Sequence, residues 1–339
     1  MSNNFFNLPV EEQSALIKIA GDQFDMPDMI IEKDLWLCWI LEKLFALPIQ
    51  MVFKGGTSLS KVFGLIKRFS EDVDITIDYR NFKPELDLKN TSRTQLKKTS
   101  DQLKELLKIY ISETVLLYLQ EQVSKNFPKK IFEITLSEDG EQLRFYYPSI
   151  ISTTHNYLRD HIFIEFGVRN ITEPCEKHSV LSYLAKAITS DFDLPKPMIS
   201  TLSPIRTFWE KATLMHVECH RDRLVKTPER LSRHWYDLFM LNNSWVGEQA
   251  LSDNDILKSV IEHKKAFFNA SYTNYDDCLS SKFRLVPAGP YLENLENDFS
   301  QMVKTGMFHE VPPTFDEIIK GLKNLEKTIN QIETPTTPL

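Results

Sequence analysis

Met51-Val52-Phe53-Lys54-Gly55-Gly56-Thr57-Ser58 runs from a short apolar stretch into a Gly-Gly pair, and sixteen residues after Gly56 comes Asp72-Val73-Asp74-Ile75. The first segment predicts a strand that turns at the glycines into a helix. The second predicts a strand returning beside it. Side chains alternate along a strand, so Asp72 and Asp74 share a face, roughly 6.6 Å apart. Two carboxylates that close repel each other unless a cation lies between them, and hard oxygen ligands favour Mg²⁺, with Mn²⁺ accepted by the same donors. Gly55 and Gly56 have no Cβ, so the backbone can take positive φ and its N–H groups can approach a phosphate. The helix they open, with Leu59, Val62, Phe63 and Ile66 on one face, points its positive end at that phosphate. The combination implies a site for a nucleoside triphosphate and its metal. Taken singly, a Gly-Gly pair is an ordinary turn and Asp-x-Asp a solvated strand edge. A Walker P-loop is excluded, because Gly-x-x-x-x-Gly-Lys-Ser/Thr does not occur.

Outward from this unit, residues 9–20 and about 28–45 read as helices, and residues 86–127 as one or two long helices inserted after the second strand. Ile131–Leu136 and Leu143–Tyr147 alternate like a hairpin around Ser137-Glu138-Asp139-Gly140. His161–Gly167 reads as a further strand. Past Pro204 the periodicity is helical: 204–220, 229–242, 254–269, 290–304 and 314–331. The expected fold is α+β (α/β), a small mixed sheet flanked by helices with a mostly helical C-terminal domain. The composition shift near Met198–Pro204 suggests domains at 1–200 and 201–332, with 333–339 as a mobile tail.

The chain has 339 residues, 42% of them hydrophobic and 26% charged, enough for a large core. A net charge of −7 excludes a general nucleic-acid-binding surface and leaves only local basic patches. The four cysteines lack zinc or redox spacing, the start Met1-Ser2-Asn3-Asn4 is no leader, and no apolar run could span a bilayer. A reducing cytoplasm is the expected location.

Nucleotidyl transfer places charge on phosphate oxygens, which metals and cations stabilise. A third carboxylate would complete a metal site with Asp72 and Asp74. Glu165 is the candidate, as the one acid of the apolar strand Ile162–Phe166, and it could also serve as general base. The plain alternative for Glu165 is an ion pair with Arg169. Lys211, on the flank of the 204–220 helix, could reach a triphosphate as a point charge or be a surface lysine. In the next helix Arg230, Arg233, His234 and Asp237 fall opposite Leu231, Trp235, Leu238 and Phe239, and Arg233 and Asp237 one turn apart form an exposed pair on the plain view. Residues 204–235 carry seven basic residues (Arg206, Lys211, Arg221, Arg223, Lys226, Arg230, Arg233) against four acids (Glu210, Glu218, Asp222, Glu229), a balance suited to polyphosphate or an RNA end. His216 and His220 have zinc-ligand spacing, but no His-Glu-x-x-His accompanies them.

These stretches, together with Glu32-Lys33-Asp34-Leu35-Trp36, Arg68-Phe69-Ser70-Glu71, Phe208-Trp209-Glu210-Lys211-Ala212 and Arg233-His234-Trp235-Tyr236-Asp237-Leu238, make the chain resemble the AbiEii/AbiGii nucleotidyltransferase-like toxin family over nearly its whole length. The resemblance implies a fold like that of DNA polymerase β. It implies triphosphate contacts at the Lys54–Ser58 turn (Gly56, Thr57 or Ser58 above all), metal ligands at Asp72 and Asp74, and essential active-site roles for Lys211 and Asp237, with Arg233 beside the nucleotide. The family's third acid varies, which weighs on Glu165. Members are toxins of toxin–antitoxin or abortive-infection (phage-defence) pairs, and some relatives add nucleotides to tRNA 3′ ends. The expected activity is therefore Mg²⁺-dependent transfer from an NTP to an RNA acceptor, with tRNA the leading choice and a cognate antitoxin as partner. Transfer to a protein or small-molecule hydroxyl is the second reading, and a nucleotide-binding regulator without catalysis the third.

Overall fold

In the computed structural model, residues 3–88, 90–151, 159–188, 192–221 and 230–331 are described. They divide into two units: Met1–Leu86, Lys98–Leu202 and Thr305–Glu310 in the first, and Asp87–Lys97, Ser203–Lys304 and Val311–Leu339 in the second. The chain runs β1 (Asn3–Asn4), α1 (Val10–Phe24), α2 (Asp28–Leu44), β2 (Met51–Lys54), α3 (Gly55–Lys61) and β3 (Asp72–Ile77). It continues with α4 (Arg93–Tyr110) and α5 (Leu116–Asn126), joined by a π turn at Ile111–Val115, then β4 (Glu133–Leu136), β5 (Gln142–Tyr146) and β6 (Ile162–Gly167). β7 (Cys175–Ser179), α6 (Tyr183–Ala187), β8 (Phe192–Asp193) and β9 (Met198–Leu202) complete the first part. The helices that follow are α7 (Pro204–Cys219), α8 (Ser232–Asn242), α9 (Trp245–Ser252), α10 (Asn254–Phe267), α11 (Pro290–Val303) and α12 (Phe315–Gln331).

Seven strands form one mixed sheet in the order β4-β5-β6-β3-β2-β9-β7, while β1 and β8 pair separately. β3 runs antiparallel to β2 and parallel to β6, and β2 runs parallel to β9. The sheet is therefore built around β3, with the Asp-x-Asp strand at its middle. One face is fully apolar along β5 and β6: Leu143, Phe145, Ile162, Ile164 and Phe166 are buried. It packs on α2, where Trp36 and Trp39 lie 6.4 and 5.8 Å from the Phe145 ring and Phe127 joins the same aromatic cluster. Burying each such ring stabilises the fold by roughly 2 kcal/mol.

Five elements differ from the sequence expectation. α3 stops at Lys61 instead of running past Ile66, because Gly64 at φ +62° turns the chain and Leu65 N–H donates back to Leu59 O (2.9 Å). Val62 and Phe63 are only half-buried as a result. Residues 198–202 form a strand, and β7, α6 and α9 were not anticipated. The proposed tail at 333–339 lies outside the described residues.

The return segment Thr305–Glu310 belongs to the first unit. Phe69 N–H donates to Met307 O (2.6 Å), His309 N–H donates to Lys67 O (2.9 Å), and Arg68 bridges Phe308 antiparallel. This segment therefore braces the approach to β3. In the second unit α7 is buried on nearly all sides, with Phe208, Trp209, Ala212 and Met215 in its core. There Asp298 accepts from Arg230 N (2.7 Å), Ser232 N (2.8 Å) and Ser232 Oγ (2.5 Å), so a carboxylate from α11 caps α8.

Candidate active site

Strand register brings the acids together. Asp74 is paired with Lys54 of β2 on one side and with Glu165 of β6 on the other, and Glu165 in turn with Gln142 of β5. Lys54, Asp74, Glu165 and Gln142 thus form one row across four strands. Asp72 stands in the adjacent row with Phe163 and Arg144. All of these project from the face opposite α2. The next position of β3 on that face, Thr76, is fully buried, which confines the open part to the Asp72–Asp74 end.

The Gly-Gly turn meets this row directly. Gly55 has φ +78°, and a Cβ placed on it would fall 1.9 Å from Asp74 Oδ2. Only glycine lets the carboxylate lie against the backbone there. Thr57 and Ser58 are buried: Thr57 Oγ1 donates to Asp72 O in a very short bond, and Ser58 Oγ donates to Gly55 O (2.9 Å). Their hydroxyls hold the turn against the acid strand, so what the turn offers a ligand is its backbone. The first N–H groups of a helix lack intrahelical acceptors.

Although it lies in an apolar strand, the Glu165 side chain reaches solvent, while Ile162, Ile164 and Phe166 point the other way. Protein atoms still crowd the carboxyl, so its pKa is raised, first by desolvation, with Asp72 and Glu141 adding to the rise and Lys54 and Arg159 opposing it. Arg169, the alternative partner, faces Glu141 at 3.9 Å. Asp72 and Asp74 of β3 and Glu165 of the adjacent strand β6 are oxygen donors of the type a hard divalent cation takes, although their ligand atoms are not gathered within 4.8 Å of one another as those of His216, His220 and Asp277 are.

Arg159 was not anticipated from the sequence. Its Nη1 donates to Asp72 Oδ1 at 2.6 Å, and its guanidinium lies 4.3 Å from the Phe163 ring centroid. Its backbone is clasped by a buried pair: Lys33 Nζ donates to Glu71 Oε2 (2.6 Å) and to Arg159 O (2.7 Å), while Arg159 N–H donates to Glu71 Oε2 (3.1 Å). Burial lowers the Lys33 pKa, and Glu71 opposes that shift. The neighbouring acids of α2 act alike. Glu32 accepts from Ser149 Oγ (2.6 Å) and Ile150 N (2.8 Å), and Asp34 accepts from Lys61 Nζ (2.9 Å) and Tyr183 N (2.7 Å). Glu32-Lys33-Asp34 is thus a scaffold of three buried charges that fixes the ends of α3, β3 and β6.

Lys211, Asp237 and Arg233 belong to the second unit. Lys211 and Asp237 are both buried, with Nζ 2.9 Å from Asp237 Oδ2 and 3.3 Å from His234 Nδ1. This corrects the placement of Lys211 on an exposed flank and of Asp237 on the solvent side of its helix. Trp235, Tyr236, Asp237 and Leu238 are buried in succession, so α8 is enclosed around that turn. Arg233 is half-buried and its Nε donates to Arg230 O (3.2 Å). Of the basic stretch at 204–235, Asp222, Arg223, Lys226 and Glu229 lie outside the described residues.

His216, His220 and Asp277 do gather within 4.8 Å of one another. Both ring nitrogens of His216 are committed: Nδ1 accepts from Arg284 N (3.0 Å), so Nε2 is the protonated nitrogen that donates to Asn274 O (3.1 Å). No lone pair remains for zinc, and the cluster is structural. The cysteines are free, and no helix among the described residues is long and apolar enough to cross a membrane.

Among solved structures the chain is similar to MenT4, a nucleotidyltransferase toxin from Mycobacterium tuberculosis H37Rv, with 15% identity and a TM-score of 0.42 over 89% of this chain and 92% of that one. No curated protein matches. Residues 39–321 match the family described as "Nucleotidyl transferase AbiEii toxin, Type IV TA system". With that match spanning most of its length, the chain belongs to the AbiEii family of nucleotidyltransferase toxins of type IV toxin–antitoxin systems.

Proposed function

We propose that this nucleotidyltransferase transfers NMP from an NTP to the 3′ hydroxyl of an RNA, a tRNA end being the leading acceptor, in a Mg²⁺-dependent reaction in the bacterial cytoplasm. A type IV antitoxin is its partner, and abortive infection of phage-infected cells is the setting. The observation that carries the reading is the row Lys54–Asp74–Glu165 with Gly55 pressed against Asp74.

In the proposed reaction Asp72, Asp74 and Glu165 hold the cation, which when bound neutralises charge building on the phosphate oxygens. The backbone at Gly55–Ser58 and the Lys54 ammonium receive the β- and γ-phosphates. Glu165 takes the proton of the acceptor hydroxyl, whose oxygen bonds to the α-phosphorus as the bond to pyrophosphate breaks. We assign Lys211, Asp237 and Arg233 to the same reaction on the strength of the family motifs. Transfer to a protein hydroxyl is the second reading, since the acid row by itself does not select the acceptor.

Incubation with Mg²⁺, each α-³²P NTP and either total tRNA or cell extract separates the readings. Label is expected on RNA, and label confined to protein would move the assignment to the second reading. Asp74→Ala is expected to abolish labelling while leaving the circular dichroism unchanged. Full activity in that variant would overturn the site.

A further inference from the structure

Resting on this reading of the acid row, the direction of approach of the acceptor follows from the strand order. Displacement at the α-phosphorus is in line, so attacking and leaving oxygens stand on opposite sides of it. The leaving pyrophosphate is assigned to the Gly-Gly turn, beyond β2. Across Asp74 from β2 lie β6 and then β5. The nucleophile must therefore come over the β6–β5 part of the open face.

That part of the sheet has a composition of its own. Alternation places Gln142, Arg144 and Tyr146 of β5 beside His161, Phe163 and Glu165 on the face opposite the apolar core, and none of these six is buried. The Tyr146 and His161 rings lie 4.8 Å apart, and Arg159 covers the Phe163 ring. Arg144 stands in the Asp72–Phe163 row, two strands and so roughly 10 Å from Asp72. Within the β5–β6 part of the face, Arg159 is tied to Asp72, whereas Arg144 makes no ion pair or side-chain hydrogen bond among the described residues. Aromatic rings interleaved with guanidinium groups on a sheet face are the chemistry that holds single-stranded nucleic acid, the rings stacking on bases and the cations meeting phosphates. Glu165 of β6, Glu133 of β4 opposite Tyr146, and Asp160 are the acids nearby. They leave Arg144 as the cation able to accept a phosphate.

We infer that the β5–β6 face seats the single-stranded 3′ end of the RNA acceptor, with Arg144 contacting one of its phosphates and Tyr146 offering a ring to a base. Acceptor binding is thereby separated on the sheet from triphosphate binding.

The test is fluorescence anisotropy of a short fluorescein-labelled single-stranded RNA with the full chain and Mg²⁺, repeated from about 50 to 200 mM salt. Arg144→Ala and Arg144→Lys are compared with the wild type, and binding of each NTP is measured by calorimetry. Arg144→Ala is expected to weaken RNA binding about tenfold. It should also make the slope of log K against log salt shallower by about 0.7, the value for one phosphate contact on a single strand. Arg144→Lys should restore most of the slope, and NTP affinity should not change in either variant. An unchanged RNA affinity and slope in Arg144→Ala would overturn the assignment, as would an equal loss of RNA and NTP binding. If Asp74→Ala abolishes labelling of RNA while Arg144→Ala binds RNA normally, the proposed function stands and this seat falls. If the wild type binds no RNA and labels only protein, both fall.

Discussion

At Gly55 the backbone angle and the neighbouring carboxylate make the same demand. A positive φ is strained for any residue with a side chain, and the space that a Cβ would need is already filled by Asp74 Oδ2. Gly55→Ala is therefore expected to displace Asp74 and lower the rate of nucleotide incorporation by about a hundredfold, the scale of a 1 Å misplacement at a reacting centre. Thermal unfolding should show a folded protein. Near-normal turnover would mean that Asp74 does not need its observed position. The acids of this site were legible in the sequence, because strand alternation alone places Asp72 with Asp74, and an acid in an apolar strand singles out Glu165. Arg159 was not, since its contact with Asp72 depends on the chain's return through Lys33 and Glu71. Asp237 was misread for a related reason: a charged residue opposite an apolar stripe reads as solvent-facing, and only packing shows that both sides of α8 are enclosed.

At the scale of elements, α2 is unusual in burying Glu32, Lys33 and Asp34 in succession. Three adjacent helix positions point in three directions about 100° apart. Each charge therefore reaches a different segment, and α2 acts as a hub for them. Lys61 sits between Asp34, Leu181 O and the Tyr183 ring, 4.3 Å away. Lys61→Met would leave Asp34 buried without its cation. A loss of about 3–5 kcal/mol in urea unfolding is expected, much of it recovered in Lys61→Met/Asp34→Leu. A single variant as stable as the wild type would show that the pair is no anchor. The helices and the central strands were legible because their periodicity is strong. β7, with Cys-Glu-Lys-His-Ser, and β9, with its Ser200-Thr201, carry too little apolar alternation to announce strands, and their pairing with each other and with β2 supplies what local sequence does not. The early end of α3 turns on the conformation of Gly64.

Over the whole molecule, buried His216 and half-buried His309 are expected to contribute to the response to acid. Burial holds the His216 imidazole down to about 4; His220 and Arg284 push the same way, while the Asn274 carbonyl and Asp277 oppose them. His309 is likewise held down to about 4, by burial and then by the cations Lys67, Lys61, Lys186 and Arg68. Each binds its proton more readily when unfolded, with an ordinary pKa near 6.5. Their stabilisation is therefore full above pH 6.5 and is lost as pH falls toward 4. Urea midpoints are expected to drop through that window, by on the order of 3 kcal/mol per histidine at the acid end. His216→Asn should flatten part of the fall, and an unchanged profile in that variant would place the acid sensitivity elsewhere. Net charge and composition had ruled out a general nucleic-acid surface. They could not show that the cations which matter stand on one patch of one sheet.

The strand-like clasp between Thr305–Glu310 and Lys67–Phe69 bears on when the enzyme can exist. A ribosome releases residue 69 long before residue 307, so the nascent polypeptide carries the aspartates for a long interval without the segment that steadies their approach. Completion of that unit therefore waits until Thr305–Glu310 has emerged and paired beside Lys67–Phe69.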